Sequence, residues 1–79
     1  MNEKLYNILG TTLGINVAII SDDLTMRDVE TWDSLKHMEL IATLEQAFEL
    51  EFTFEEIISM QNVAEIKHIL TQKGVNGKI

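Results

Sequence analysis

In "ETWDSLKHMELI", residues 30 to 41, an aspartate and a serine stand at the head of an amphipathic pattern. Three chemistries fit a serine placed there. In the first, Asp33 caps a helix by accepting from a free backbone N–H, and Ser34 merely fills the first turn. In the second, Ser34 is a nucleophile, which requires an adjacent base and oxyanion donors in a sheltered site. No G-x-S-x-G elbow surrounds it, and His37, one turn along, is expected on the solvated side without an orienting carboxylate. In the third, Ser34 is itself a substrate, modified by another enzyme. A helix N-terminus suits a phosphate ester, because its leading N–H groups and dipole favour negative charge. Asp33 beside the hydroxyl could help hold a metal ion while a phosphoryl group is transferred.

The helix that positions this pair is expected from Ser34 to about Glu49. At about 100° per residue, Leu40, Ile41, Leu44, Ala47 and Phe48 gather on one side and form a core face. Nearly opposite lie Leu35, Met38 and Ala42, bordered by Glu39, Glu45 and Gln46. A minimal bundle has no second core to bury this stripe, so it lies either under a loop or open as a docking patch.

The remaining elements follow from period and punctuation. Asn2 can cap a first helix carrying Leu5, Ile8, Leu9 and Leu13 at helical spacing. Gly10 weakens that helix and Gly14 stops it. Residues 15 to 33 show no sustained period and form a long wrapping connection with one short helical turn, anchored by Val17, Ile20, Leu24, Met26, Val29 and Trp32. "FEEIIS" allows a short third helix, whose Phe54, Ile57, Ile58 and Met60 read as core ahead of a pocket lining, though some could be both. Asn62 and Glu65 resemble a capping box opening a last helix. That helix turns Val63, Ile66, Ile69 and Leu70 to one side and ends near Lys73 and Gly74, with residues 74–79 a frayed tail. The fold class is all-α, a small four-helix bundle with a long loop between helices 1 and 2 and a short third helix. Residues 1–79 are expected to form a single domain.

Composition narrows the function. Thirteen acids against six bases give a net charge of −7, which would repel phosphate backbones and argues against nucleic acid. An acidic domain suits transient docking on basic surfaces. The chain has no cysteine, so disulfides and thiolate metal sites are out and a reducing compartment is expected. No apolar run approaches a membrane span, and the start lacks a signal core; we expect a cytoplasmic monomer. The loop acids lack the D-x-D-x-D-G spacing of a calcium hand. His37 and His68 lie on different helices, so no resident metal is expected.

With these elements in place, "WDSLKHMELIATLEQAF" resembles the acyl carrier protein family. The match runs end to end: an opening helix closing in Leu-Gly, the long loop, D-S-L, "ELI", "LE..F", a short third helix and a final one. The resemblance implies that Ser34 carries 4′-phosphopantetheine, added from coenzyme A by a phosphopantetheinyl transferase using Mg²⁺, with Asp33 in support. Cargo would then ride as a thioester, and the chain would be a carrier rather than an enzyme. It also places Leu35, Met38, Glu39, Ala42 and Glu45, with Glu55 and Glu56 of the third helix, where acyl-loading and acyl-processing enzymes dock through basic surfaces. Lys36 and His37 depart from the fatty-acid pattern after D-S-L, and Trp32 replaces a small residue. The acids near Gln46 and Ala47 are thinner, the third helix is more apolar, and the G-G-x-S-L of peptidyl carriers is absent. These departures imply a specialised free-standing carrier and leave fatty-acid, polyketide, modified-sugar, lipid and aminoacyl pathways open. The rival reading is an acidic helical interaction module without a prosthetic group, in which Leu35, Met38 and Ala42 bind a partner.

Overall fold

The computed structural model describes residues 3–75. Helix α1 runs over Glu3–Leu13, α2 over Ser34–Phe48, α3 over Phe54–Ser59 and α4 over Val63–Gln72. This is the all-α four-helix bundle expected from periodicity, with its long first loop and short third helix. The Asn2 cap and residues 76–79 of the tail lie outside the described residues.

In α1 the i, i+4 row of Leu5, Leu9 and Leu13 is buried. Gly14 ends the helix in the left-handed region (φ 68°), where glycine carries no Cβ penalty. Gly10 has a different use. A Cβ there would lie 3.0 Å from Val17 Cγ1 and 3.1 Å from the Ile15 carbonyl oxygen. Its absence lets the loop return tightly onto α1.

The loop contains two 3-10 turns, Val17–Ile19 and Met26–Asp28, where one was expected. Ile20, Val29 and Trp32 are buried as anchors, whereas Leu24 and Met26 are only partly covered. Val17 is not a core residue: it leans on Gly10 but stays largely exposed, because its turn lies on the outside of α1. Thr31 Oγ1 donates to the Leu13 carbonyl at 2.6 Å, pinning the loop's exit to the end of α1.

The loop also pairs with the entry to α4. An isolated antiparallel bridge joins Thr25 to Asn62. The Met26 N–H donates to the Gln61 carbonyl at 2.8 Å, and the Val63 N–H to the Leu24 carbonyl at 3.0 Å. Lys67 of α4 completes this seam. Its ammonium donates to Asp22, with which it is ion-paired, and to the Tyr6 hydroxyl at 2.9 Å, and it lies over the Tyr6 ring. Burial works to lower the Lys67 pKa, but the hydrogen bonds to Asp22 and Tyr6 outweigh it and hold the ammonium above its ordinary value.

Asn62 Oδ1 accepts from the Glu65 N–H at 2.7 Å. Of the expected box, this forward half is the one recorded at α4. A complete capping box stands instead at α3, between Thr53 and Glu56. At the far end of α4, Gly74 (φ 97°) turns the chain so that the Val75 N–H donates to the Leu70 carbonyl at 3.0 Å, and Val75 packs on the core. Residues 74 and 75 thus cap α4 rather than fray.

The core gathers side chains from α1, the loop, the residues flanking α3, and the two longer helices, including Leu40, Ile41 and Leu44 of α2 and Val63, Ile66, Ile69 and Leu70 of α4. Leu44 has no exposed surface. Leu44→Ala should lower stability by about 2–5 kcal/mol, the cost of lost burial plus a residual cavity, measured by urea unfolding.

Candidate functional site

Asp33 lies in extended backbone (φ −100°, ψ −172°) and caps α2, accepting from the Lys36 N–H at 2.9 Å. Its own carbonyl accepts from the His37 N–H at 2.8 Å, the first bond of the helix. This cap fixes Ser34 as the first residue of α2, exposed beside the helix's leading N–H groups. The cap uses Asp33 Oδ1; no partner of Oδ2 is recorded among the described residues.

A cavity of about 220 Å³ opens beside Ser34, lined by Met26, Ser34, His37, Met38, Phe54, Ile57, Ile58 and Gln61. Its walls come from the second 3-10 turn, the start of α2, α3, and Gln61 in the turn between α3 and α4. Phe54 and Ile58 were expected in the core, yet 76% of one and 51% of the other is exposed. The reason is geometric. Phe54, Ile57 and Ile58 are spaced i, i+3, i+4 and share one face of a six-residue helix, while Phe52 and Met60 at its two ends are buried. The core is filled by those flanking residues, so the helix between them turns its apolar face to the cavity mouth.

On α2, Leu35 (77% exposed), Met38 (53%) and Ala42 are open to solvent, so the second stripe is not buried under the loop. The cavity joins Met38 to Phe54 and Ile58, an apolar rim spanning two helices. The acids expected around it are mostly engaged within the chain. Glu39 is 3.4 Å from the Lys36 ammonium. Glu45 accepts from the Phe52 N–H at 2.9 Å, holding the turn into α3. Glu56 is paired with Lys73 at 2.9 Å. Glu55 is exposed, with no partner recorded among the described residues.

His37 departs most from expectation. It is buried (7% exposed), not solvated. The Trp32 indole N–H donates to its Nδ1 at 3.0 Å, and its Nε2 lies 2.8 Å from the Ile57 carbonyl oxygen. An indole can only donate and a carbonyl only accept, so the ring is the neutral tautomer with its proton on Nε2. Both nitrogens are used, which leaves neither for a metal and neither for activating Ser34. The missed signal was Trp32 itself: a buried indole N–H needs an acceptor, and the next helical turn supplies one.

Two comparisons bear on what this arrangement serves. Residues 3–70 match the family described as the phosphopantetheine attachment site. The chain belongs to the acyl carrier protein family. An acyl carrier protein of Syntrophobacter fumaroxidans is 33% identical over 66 residues, covering 84% of this chain and 82% of that protein. An acyl carrier protein homolog of Mycoplasma pneumoniae is 38% identical over 47 residues, 54% of this chain and 56% of that one. The protein is therefore a phosphopantetheine-bearing acyl carrier, not a catalyst, and works by interacting with partner enzymes. The residues around Ser34 fit such a group: an exposed hydroxyl at a helix N-terminus, with an apolar cavity alongside. No helix of the described residues is long and apolar enough to cross a membrane.

The carrier's third helix has a pH-sensitive tether. The Thr53 backbone N–H, and then the Lys73 ammonium, hold the Glu56 carboxyl below the ordinary glutamate value of 4.5. A carboxylate lowered in the fold contributes stability that is present above 4.5 and lost as pH falls through its depressed value. Glu56→Gln should therefore be less stable than wild type at neutral pH, with the difference vanishing in acid; paired thermal melts across that range measure it.

Proposed function

We propose that Ser34 is the residue to which 4′-phosphopantetheine is attached. The observation that carries this reading is the exposed Ser34 hydroxyl at the capped N-terminus of α2, opening onto the apolar cavity. Orphan N–H groups and the helix dipole favour a phosphodiester there. In the transfer, Ser34 Oγ forms the new P–O bond, its proton passes to a base of the transferase, and the nucleotide half of coenzyme A leaves. The oxygen of Asp33 not used in the cap is available to the Mg²⁺ of that complex. The group supplies a terminal thiol that holds acyl cargo as a thioester.

The docking face centres on Leu35, Met38 and Ala42, extended by Phe54 and Ile58 across the cavity mouth. Glu39, Glu45, Glu55 and Glu56 give its surroundings a negative field for basic surfaces on a phosphopantetheinyl transferase and on acyl-loading and acyl-processing enzymes. Because three of these acids already have partners within the chain, apolar contact supplies more of the affinity and Glu55 more of the steering. We read residues 1–79 as one carrier unit, monomeric, since α1, the loop, α2, α4 and the two residues flanking α3 contribute to one buried cluster. The cysteine-free sequence suits the reducing cytoplasm.

Intact mass spectrometry tests the attachment. After incubation with coenzyme A, Mg²⁺ and a promiscuous transferase, the wild type should gain the mass of one phosphopantetheine. Ser34→Ala should gain none, while its stability stays within about 0.5 kcal/mol of wild type. A wild-type chain left unconverted beside a converting control carrier would refute the assignment. For the docking face, Met38→Glu should lower kcat/KM for transfer to a partner enzyme about tenfold with helix content unchanged in circular dichroism. Unimpaired transfer would exclude Met38 from the interface.

A further inference from the structure

We propose that His37 is a positioning residue, a hydrogen-bonded latch that holds α3 over the cavity beside Ser34 and so controls how far the carried group is exposed. Helix α3 is a single short segment of six residues, too short to persist without external support. Its flanks are anchored by buried Phe52 and Met60. Between them, the polar ties recorded from α3 to other helices are two. Glu56 reaches Lys73, the C-cap of α4, on the side away from the cavity lining. The Ile57 carbonyl reaches His37 of α2, in the cavity wall.

That second tie continues beyond the imidazole. The Ile57 carbonyl lies in the last turn of α3, where helix carbonyls lack full intrahelical partners, and His37 Nε2–H supplies a donor at 2.8 Å. His37 Nδ1 in turn accepts from Trp32, whose buried indole belongs to the loop that delivers Ser34. One imidazole thus connects the loop, the first turn of α2 and the end of α3, the three segments that must hold register for the cavity to keep its width. The indole also selects the tautomer: with Nδ1 occupied as an acceptor, the proton sits on Nε2, where Ile57 needs it. Breaking this chain leaves the buried Trp32 indole N–H without its acceptor and the Ile57 carbonyl with only the Met60 N–H at 3.4 Å, and it frees α3 to swing from the cavity mouth on its two flanks.

The proposal rests on Ser34 as the attachment point for its consequence to cargo, but not for the latch itself, so the two are tested separately. In the unloaded chain, hydrogen exchange at the amides of Ile57 and Ile58 in α3 and of Met60 at its C-cap reads the latch directly. His37→Phe keeps the ring's bulk and removes both hydrogen bonds; exchange there should rise about fivefold, the equilibrium factor of one net hydrogen bond, with α1 and α4 unchanged. His37→Gln offers an acceptor and a donor at similar separation and should restore most of the protection. In the loaded chain, an octanoyl thioester should be cleaved by hydroxylamine about fivefold faster in His37→Phe than in wild type, and near the wild-type rate in His37→Gln. Equal exchange in wild type and His37→Phe would overturn the latch, as would a His37→Gln variant no better protected than His37→Phe. Should His37→Phe not fold, Trp32→Phe removes the indole donor while keeping an aromatic ring in the core, and is held to the same comparison. Failure of Ser34 to accept phosphopantetheine would refute the attachment assignment, while the exchange experiment would still decide the latch.

Discussion

The connection between α1 and α2 has to be folded onto the helices before this chain has an adequate core. A chain of 79 residues buries a modest fraction of its surface on folding, and here Ile20, Val29 and Trp32 of the connection fill space that helix side chains leave open. The ordering of that loop is therefore part of building the bundle. Gly10 gives it room to turn back, Thr31 fastens its exit to α1, and the pairing with Gln61 and Val63 fastens its middle to α4. The start of α2 inherits its position from all three.

This explains the contrast between the two walls of the site. The α2 wall is firmly placed, since Asp33 caps the helix while Trp32 before the cap and His37 in the first turn are buried. The α3 wall is a short helix held by its ends and two polar contacts. A carrier needs that asymmetry: a fixed point from which the arm projects, and a neighbouring surface whose opening costs little. The apolar rim formed by Met38, Phe54 and Ile58 belongs to both walls, so a partner enzyme that covers it touches the fixed and the yielding element together.

Much of this was legible in the residues. The i, i+4 rows of α1 and α2, the Asn62 cap and the alternation of two apolar faces on α2 depend on local spacing, and local spacing is what a sequence displays. The second stripe was legible in the spacing, but whether the loop covered it was not. His37 was misplaced because its burial depends on an indole five positions back and a carbonyl twenty positions ahead, neither of which helical periodicity registers. Phe54 and Ile58 read as core because composition cannot tell which aromatic of an alternating pair the flanking core will accept. The Thr25–Asn62 bridge left no trace in the period, since it is a backbone contact between two segments that are each irregular.

That bridge has a kinetic meaning. Lys67 and Asp22 are 45 positions apart, and the backbone pairing beside them closes a loop that contains all of α2 and α3. Local helices can form first, but this seam must wait for a long segment of chain to be brought around, and the entropy of that closure is recovered only when loop and α4 meet. Ordering of the loop and docking of α4 are then one event in time. A fluctuation that peels α4 away would unfasten the loop with it, and the platform that presents the serine would dissolve as a unit rather than loosen piece by piece.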